Sequence, residues 1–172
     1  MQEYLTSRYD IRAKPKVKRF WPQRYVDLRT SSSLAPGLAV RLSEVRRRSG
    51  KIAAAGGRVG VGSHGNLQGI GYHFEMWGLA SGGMPAHQIL RSATMIGAQA
   101  IGHAQDLGSI EPGKLADLLV LDANPLENIR NTNTVRMVMK NGRLYEAATL
   151  DDVWPRQRKL PMAQWWMADE RQ

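Results

Sequence analysis

The feature that most limits the possible folds is a change of pattern at Asp106. Before it, apolar residues recur with a helical period at Ile89, Leu90, Ala93, Ile96, Gly97, Ala100 and Ile101. Pro85 suits the first turn of that helix and Gly102 its end. After Asp106 come short strands and tight turns. Glu111-Pro112-Gly113-Lys114 places proline and glycine at the second and third positions of a type II turn. Residues 116–121 read as a strand that Asp122-Ala123-Asn124-Pro125 stops. Residues 135–139, then Asn141-Gly142, then Leu144-Tyr145, predict a hairpin with a two-residue type I′ turn, because Asn and Gly tolerate the positive φ that such a turn needs. The chain therefore changes from helical to hairpin periodicity at this point.

With 172 residues the chain can bury a core, but it falls short of the roughly 250 residues of a complete (β/α)8 barrel. No apolar run reaches the roughly 18 residues of a membrane-spanning helix. Met1 to Asp10 are polar, so no secretory signal is expected in this stretch, and the compartment stays open. The absence of cysteine removes disulfides and thiolate ligands, so a metal would have to be held by His, Asp or Glu. The net charge of +9 is lopsided: residues 1–60 carry 14 Lys/Arg against 4 Asp/Glu, and residues 61–172 carry 10 against 11. Any attraction to nucleic acid would belong to the first third alone.

Residues 1–36, with Pro15, Pro22, Pro36 and the Thr30-Ser31-Ser32-Ser33 run, show no steady period and predict an extended wrapping segment. Leu38, Leu42, Val45 and Ile52 predict one helix, broken near Ser49-Gly50 and ended by Gly56-Gly57. Arg46-Arg47-Arg48 within it read as a solvated face, since no aromatic residues are interleaved with them. Residues 59–62 read as a buried strand punctuated by glycine. A polar, glycine-rich loop follows through His73, of the kind that forms sites at strand ends. Residues 74–79 start the next helix, which Ser81-Gly82-Gly83 ends. The tail, with Trp154, Pro155, Pro161, Trp165 and Trp166, is expected to be irregular and to pack onto the body or a partner.

The stretch Leu107-Gly108-Ser109-Ile110-Glu111-Pro112-Gly113-Lys114-Leu115-Ala116-Asp117-Leu118-Leu119-Val120-Leu121-Asp122, with Asn124-Pro125-Leu126 and Val138-Met139-Lys140-Asn141-Gly142-Arg143, resembles the C-terminal signature of the amidohydrolase superfamily. Ile89-Leu90-Arg91-Ser92-Ala93-Thr94 and Ala100-Ile101-Gly102 are similar to that family's last barrel helix. The resemblance implies an α/β chain, the C-terminal part of a (β/α)8 TIM-barrel metallohydrolase plus the returning strands of its small β-sandwich domain. On this plan, residues 1–52 are a basic, proline-containing wrapping segment and helix, and 53–105 are the last barrel strand, site loop and closing helices. Residues 106–150 are then sandwich strands and hairpin, and 151–172 a Trp-rich tail. Lys114 and Asp117 are expected to hold the turn and strand edge rather than take part in chemistry.

The resemblance also implies a site in the loop after residue 62. Where the family has an Asp that ligates metal and takes a proton from the attacking water, this chain has His64. An imidazole can ligate a metal or act as a base near neutral pH, but it brings no negative charge to the ion. The loop is similar to that of a Tol-transport-associated subgroup, in its Gly62-Ser63-His64-Gly65 start and its His73-Phe74-Glu75-Met76-Trp77 finish. The expected site is therefore His64 as catalytic residue and metal ligand, with Ser63, Asn66, His73 and Glu75 binding substrate. His87 and His103 are expected at the surface.

The family's His-x-His pair, its Lys or Glu, and its two further histidines have no counterpart among the four histidines here. A divalent metal, most simply Zn²⁺, would thus have most ligands outside this chain, and the implied activity, hydrolysis of amide or cyclic-amide C–N bonds by a metal-activated water, requires the remainder of the enzyme. Expected partners are a small-molecule substrate and that remainder, or a second copy, with neither membrane nor nucleic acid. The competing expectation is a non-catalytic binding module with a basic N-terminal arm.

Overall fold

A computed structural model of the chain describes residues 11–30, 36–63 and 69–161, with side chains undescribed at 29, 30 and 36–42. Among the described residues six helices come first: α1 Pro15–Phe20, α2 Gln23–Thr30, α3 Pro36–Ala54, α4 Ile70–Ser81, α5 Ala86–Ala93 and α6 Met95–Ala100. A 3-10 helix, Ile129–Asn133, separates β1 Leu118–Leu121 from β2 Val135–Lys140, and β3 Arg143–Glu146 and β4 Asp152–Trp154 complete a four-stranded antiparallel meander in the order β1-β2-β3-β4. The change of period at Asp106 is thus the boundary between the helical part and the sheet.

The N-terminal stretch departs from the expected extended segment. Pro15 sits in the first turn of α1, and Pro22 immediately precedes α2, whose first turn closes on it through Tyr25 N–H to Pro22 O at 2.9 Å. At these positions the missing proline N–H is not required, so proline starts helices instead of preventing them. Both short helices are held down. Ile11, Val17 and Val26 are buried with Ala53, Phe74, Met76, Trp77, Met84 and Ile89 in one hydrophobic cluster. The Lys16 ammonium donates to Val135 O and Arg19 to Thr149 O at 3.3 Å, tying α1 to the sheet.

Helix α3 runs unbroken through Ser49 and Gly50, contrary to the expected interruption, because the small residues serve a crossing. A Cβ on Gly82, at the C-cap of α4, would stand 2.6 Å from the backbone carbonyl of Arg46, and one on Gly50 would stand 3.2 Å from Gly82 O. The backbones of α3 and α4 meet there without side chains between them. Gly82→Ala should therefore cost about 2 kcal/mol, the range for forcing extra volume into a packed contact. A melting curve unchanged from wild type would show that the crossing can relax.

Residues 57–63 form no strand, which corrects the expectation for 59–62. A strand exists by pairing, and the sheet lies elsewhere: the backbone link made here is Val61 N–H to Ser92 O at 3.3 Å, while Val59 and Val61 pack on the helical core. The single helix expected over residues 89–101 divides into α5 and α6 at Thr94, whose hydroxyl instead caps Leu90 O at 2.7 Å. The expected helix after the glycine loop, its Gly82 stop and the turn at Gly113 are all present, the last with φ +91°.

The hairpin is as the sequence reads. Asn141 and Gly142 have φ of 48° and 75°, and Lys140 pairs with Arg143 across a two-residue loop. Asp117 fastens this turn, accepting from the Asn141 N–H at 2.6 Å and from the Lys140 ammonium, and Lys114 donates to Ala104 O at 2.7 Å and Ser109 Oγ at 2.6 Å. Both charged residues are structural, as expected. Gly142→Val should cost on the order of 1 kcal/mol or more, since a β-branched residue is strained at positive φ. An unaltered denaturation midpoint would contradict it. At the tail, Asp152–Trp154 is a strand: the nearly buried Asp152 carboxylate pairs with Arg143, and its backbone exchanges two hydrogen bonds with Arg158. Trp165 and Trp166 lie outside the described residues.

Candidate functional site

Helix α4 is apolar on several faces because it is central: it contacts α3, α5 and the 3-10 helix. Its Trp77 packs against Phe74, with ring centroids 5.3 Å apart, and lies under the Arg130 guanidinium at 5.0 Å. The indole N–H reaches both Ile129 O and Thr132 Oγ1 at 3.1 Å. This contact docks the 3-10 helix on α4 and, with it, positions the sheet.

Between α4, α5 and β1 lies a cavity of about 550 Å³ with largely apolar walls, among them Met76, Leu90, Leu119 and Leu121. Ser63 and His73, two of the expected site residues, both line it. His73 sits in the first turns of α4, and its Nδ1 is 3.2 Å from Thr132 Oγ1. Burial, reinforced by the Lys16 cation, pushes its pKa down to about 4, so the ring is neutral at physiological pH. Tyr72 also lines the cavity, but its hydroxyl donates to Ala93 O at 2.8 Å, and burial raises its pKa.

Glu75 does not join this group. It is absent from the cavity lining and acts instead on Arg46 of α3, where its charge favours a guanidinium that burial disfavours. Two residues along a helix from His73, it faces away from this cavity. His64 and Asn66 lie outside the described residues, between Ser63 and Gly69, which both line the cavity. His87 and His103 are exposed, the latter 3.6 Å from Asp106 Oδ2.

Thr132 and Trp77 belong to the arrangement and were not foreseen as site residues. Trp77 stood in the recognised His73–Trp77 pattern. Thr132, 59 residues from His73, sits in an aperiodic Asn131-Thr132-Asn133-Thr134 run that resembles a loop. Among the described residues no group of three or more His, Asp or Glu could hold a metal ion, so these side chains do not by themselves fit a catalytic divalent cation. No helix among them is long and apolar enough to cross a membrane.

Comparison with known proteins places this geometry in context. The model of the amidohydrolase family matches residues 29–145. An imidazolonepropionase from Shouchella clausii is 41% identical over 64 residues, covering 36% of this chain and 14% of that protein. A 5-methylthioadenosine/S-adenosylhomocysteine deaminase from Teredinibacter turnerae is 50% identical over 42 residues, covering 24% and 10%. A crystal structure of an Xaa-Pro dipeptidase with bound methionine superposes with a TM-score of 0.57 at 31% identity, over 84% of this chain and 32% of its own. The chain thus spans about a third or less of each of these relatives. With the family's model covering more than half of the sequence and a solved relative following most of the fold, the chain belongs to the amidohydrolase family.

Proposed function

We propose that this chain is the C-terminal part of an enzyme hydrolysing amide or cyclic-amide C–N bonds in a small-molecule substrate. In the complete enzyme a divalent metal such as Zn²⁺ would supply an activated water, with His64 either as one ligand or as the proton acceptor and the other ligands outside this chain. β1–β4 would be the returning strands of the sandwich, and a barrel half or second copy would be the partner. The single observation that carries this reading is the family match across residues 29–145, which includes the segment from Gly62 to Trp77. The relatives' names, a deaminase and an Xaa-Pro dipeptidase among them, support action at C–N bonds.

The described residues have a supporting part in this chemistry. Ser63 and His73 offer hydrogen-bonding groups on the wall of a mostly apolar cavity, and Trp77 and Thr132 hold His73 in place. The resemblance to the Tol-transport-associated subgroup rests on the His73–Trp77 pattern and would account for His64 where the family has Asp.

The basic-arm alternative is disfavoured by how the cations are used. Lys16 turns onto a carbonyl of β2 and Arg19 onto one of the β3–β4 connection, Arg12 pairs with Asp27 at 2.8 Å, and Arg47 and Arg48 both pair with Glu44. A reading frame upstream of this chain that encodes a His-x-His pair would bear out the hydrolase reading. An intact gene of which these 172 residues are the whole product would count against it.

A further inference from the structure

We propose that the cavity between α4, α5 and β1 binds a small apolar molecule carrying one N–H or O–H donor, which it presents to Nε2 of His73. Most polar side chains on the cavity wall already have partners. Tyr72 donates to Ala93 O at 2.8 Å and Thr94 to Leu90 O at 2.7 Å. Thr132 donates to Ile129 O at 2.9 Å. A threonine hydroxyl has one proton, so with it committed to Ile129 the Thr132 oxygen can only accept, from Trp77 Nε1 and from His73. The hydrogen-bond network therefore assigns His73 as the Nδ1–H tautomer, with a lone pair on Nε2.

Among the described residues nothing donates to that nitrogen, and Ser63 Oγ is the other side-chain group on the wall without a partner. The other described residues that face the space are apolar or already hydrogen-bonded. Nε2 is not sealed from solvent, so in the empty cavity water satisfies it, and a single donor on an apolar body takes that water's place while covering Leu119, Leu121, Leu90 and Met76. At about 550 Å³ the cavity is in the range of small-molecule sites. A purely apolar chain segment entering from elsewhere would leave Nε2 unsatisfied, which favours a donor-bearing small molecule as occupant. The neutral ring and the nearby Lys16 further disfavour a cationic ligand. Binding at this cavity does not depend on the hydrolase reading and is read without turnover.

The test uses a pair of equal shape, indole with one N–H and benzofuran with none, titrated into the full 172-residue chain and followed by ligand-observed NMR. Indole should bind about five- to tenfold more tightly than benzofuran, the range for one hydrogen bond to an otherwise unsatisfied acceptor. His73→Phe should abolish the preference. Because that variant could disturb the core, the imidazole ¹⁵N signals of wild-type His73 serve as a second measurement: Nδ1 should be the protonated nitrogen, and Nε2 alone should shift on adding indole. Equal affinity for the two probes, no binding of indole, or a proton on Nε2 would each overturn the proposal.

Discussion

In the assembled enzyme, His64→Ala is expected to lower kcat by about 10²-fold or more, while His87→Ala leaves it nearly unchanged. The expectation is chemical and positional. His64 follows Ser63, which lines the cavity shared with His73, and it occupies the step where the family has a residue that handles the proton of the attacking water. Loss of a general base is generally worth about 10²- to 10⁴-fold. His87 lies exposed on α5, outside that cavity, and serves as the control. His64→Asp is informative in the other direction, since it restores the residue that the resemblance leads one to expect; activity retained there and lost in His64→Ala would identify the role as ligand or base. Equal kcat for wild type and His64→Ala would leave His64 as a structural histidine.

The second large effect is on stability and depends on pH. His73 titrates near 4 in the folded chain against an ordinary value of 6.5, because burial and Lys16 oppose its charged form. Its depressed pKa fixes the sign. Above about pH 6.5 neither folded nor unfolded ring carries a proton, and the full stability is present. As pH falls from 6.5 towards 4, the unfolded chain takes up a proton that the folded chain refuses, so stability declines by about 1.4 kcal/mol per pH unit, to a total of about 3 kcal/mol. Denaturant titrations of wild type and His73→Asn across pH 7.5 to 4.5 separate this slope from that of the carboxylates. The wild type should lose stability in this window and the variant should lose markedly less. Parallel curves would mean that His73 is solvated in the folded chain.

Much of the sheet was legible because its signals are local. Asn141-Gly142 and Glu111-Pro112-Gly113-Lys114 determine their own backbone conformations, and the alternating pattern on either side follows. The helical part was less so. Pro15 and Pro22 resemble breakers until their positions at helix starts are known, and Gly50 resembles one until the approach of Gly82 is seen. Both depend on what lies nearby in space. Residues 59–62 show the same limit from the other side, since valines between glycines specify an extended chain but not a neighbour to pair with. At the site, a resemblance pointed to Ser63 and His73, which share a cavity, and to Glu75, which lies outside that cavity and whose charge acts on Arg46. Thr132 carried no signal at all: its partner is 59 residues away, and an isolated threonine in a polar run gives no periodicity to read.

On the proposed reading these 172 residues carry one part of an amidohydrolase and would hydrolyse amides only when joined to the rest. The direct measurement is metal-dependent turnover of a panel of N-acyl amino acids and dipeptides, with Zn²⁺ supplied, by the purified chain alone and by the same chain fused to its upstream barrel sequence. The chain alone should give no turnover above the metal blank, because its described residues assemble no group of metal ligands, and the fusion should be active. Metal-dependent hydrolysis by the isolated chain, or an inactive but folded fusion with Zn²⁺ bound, would contradict the account.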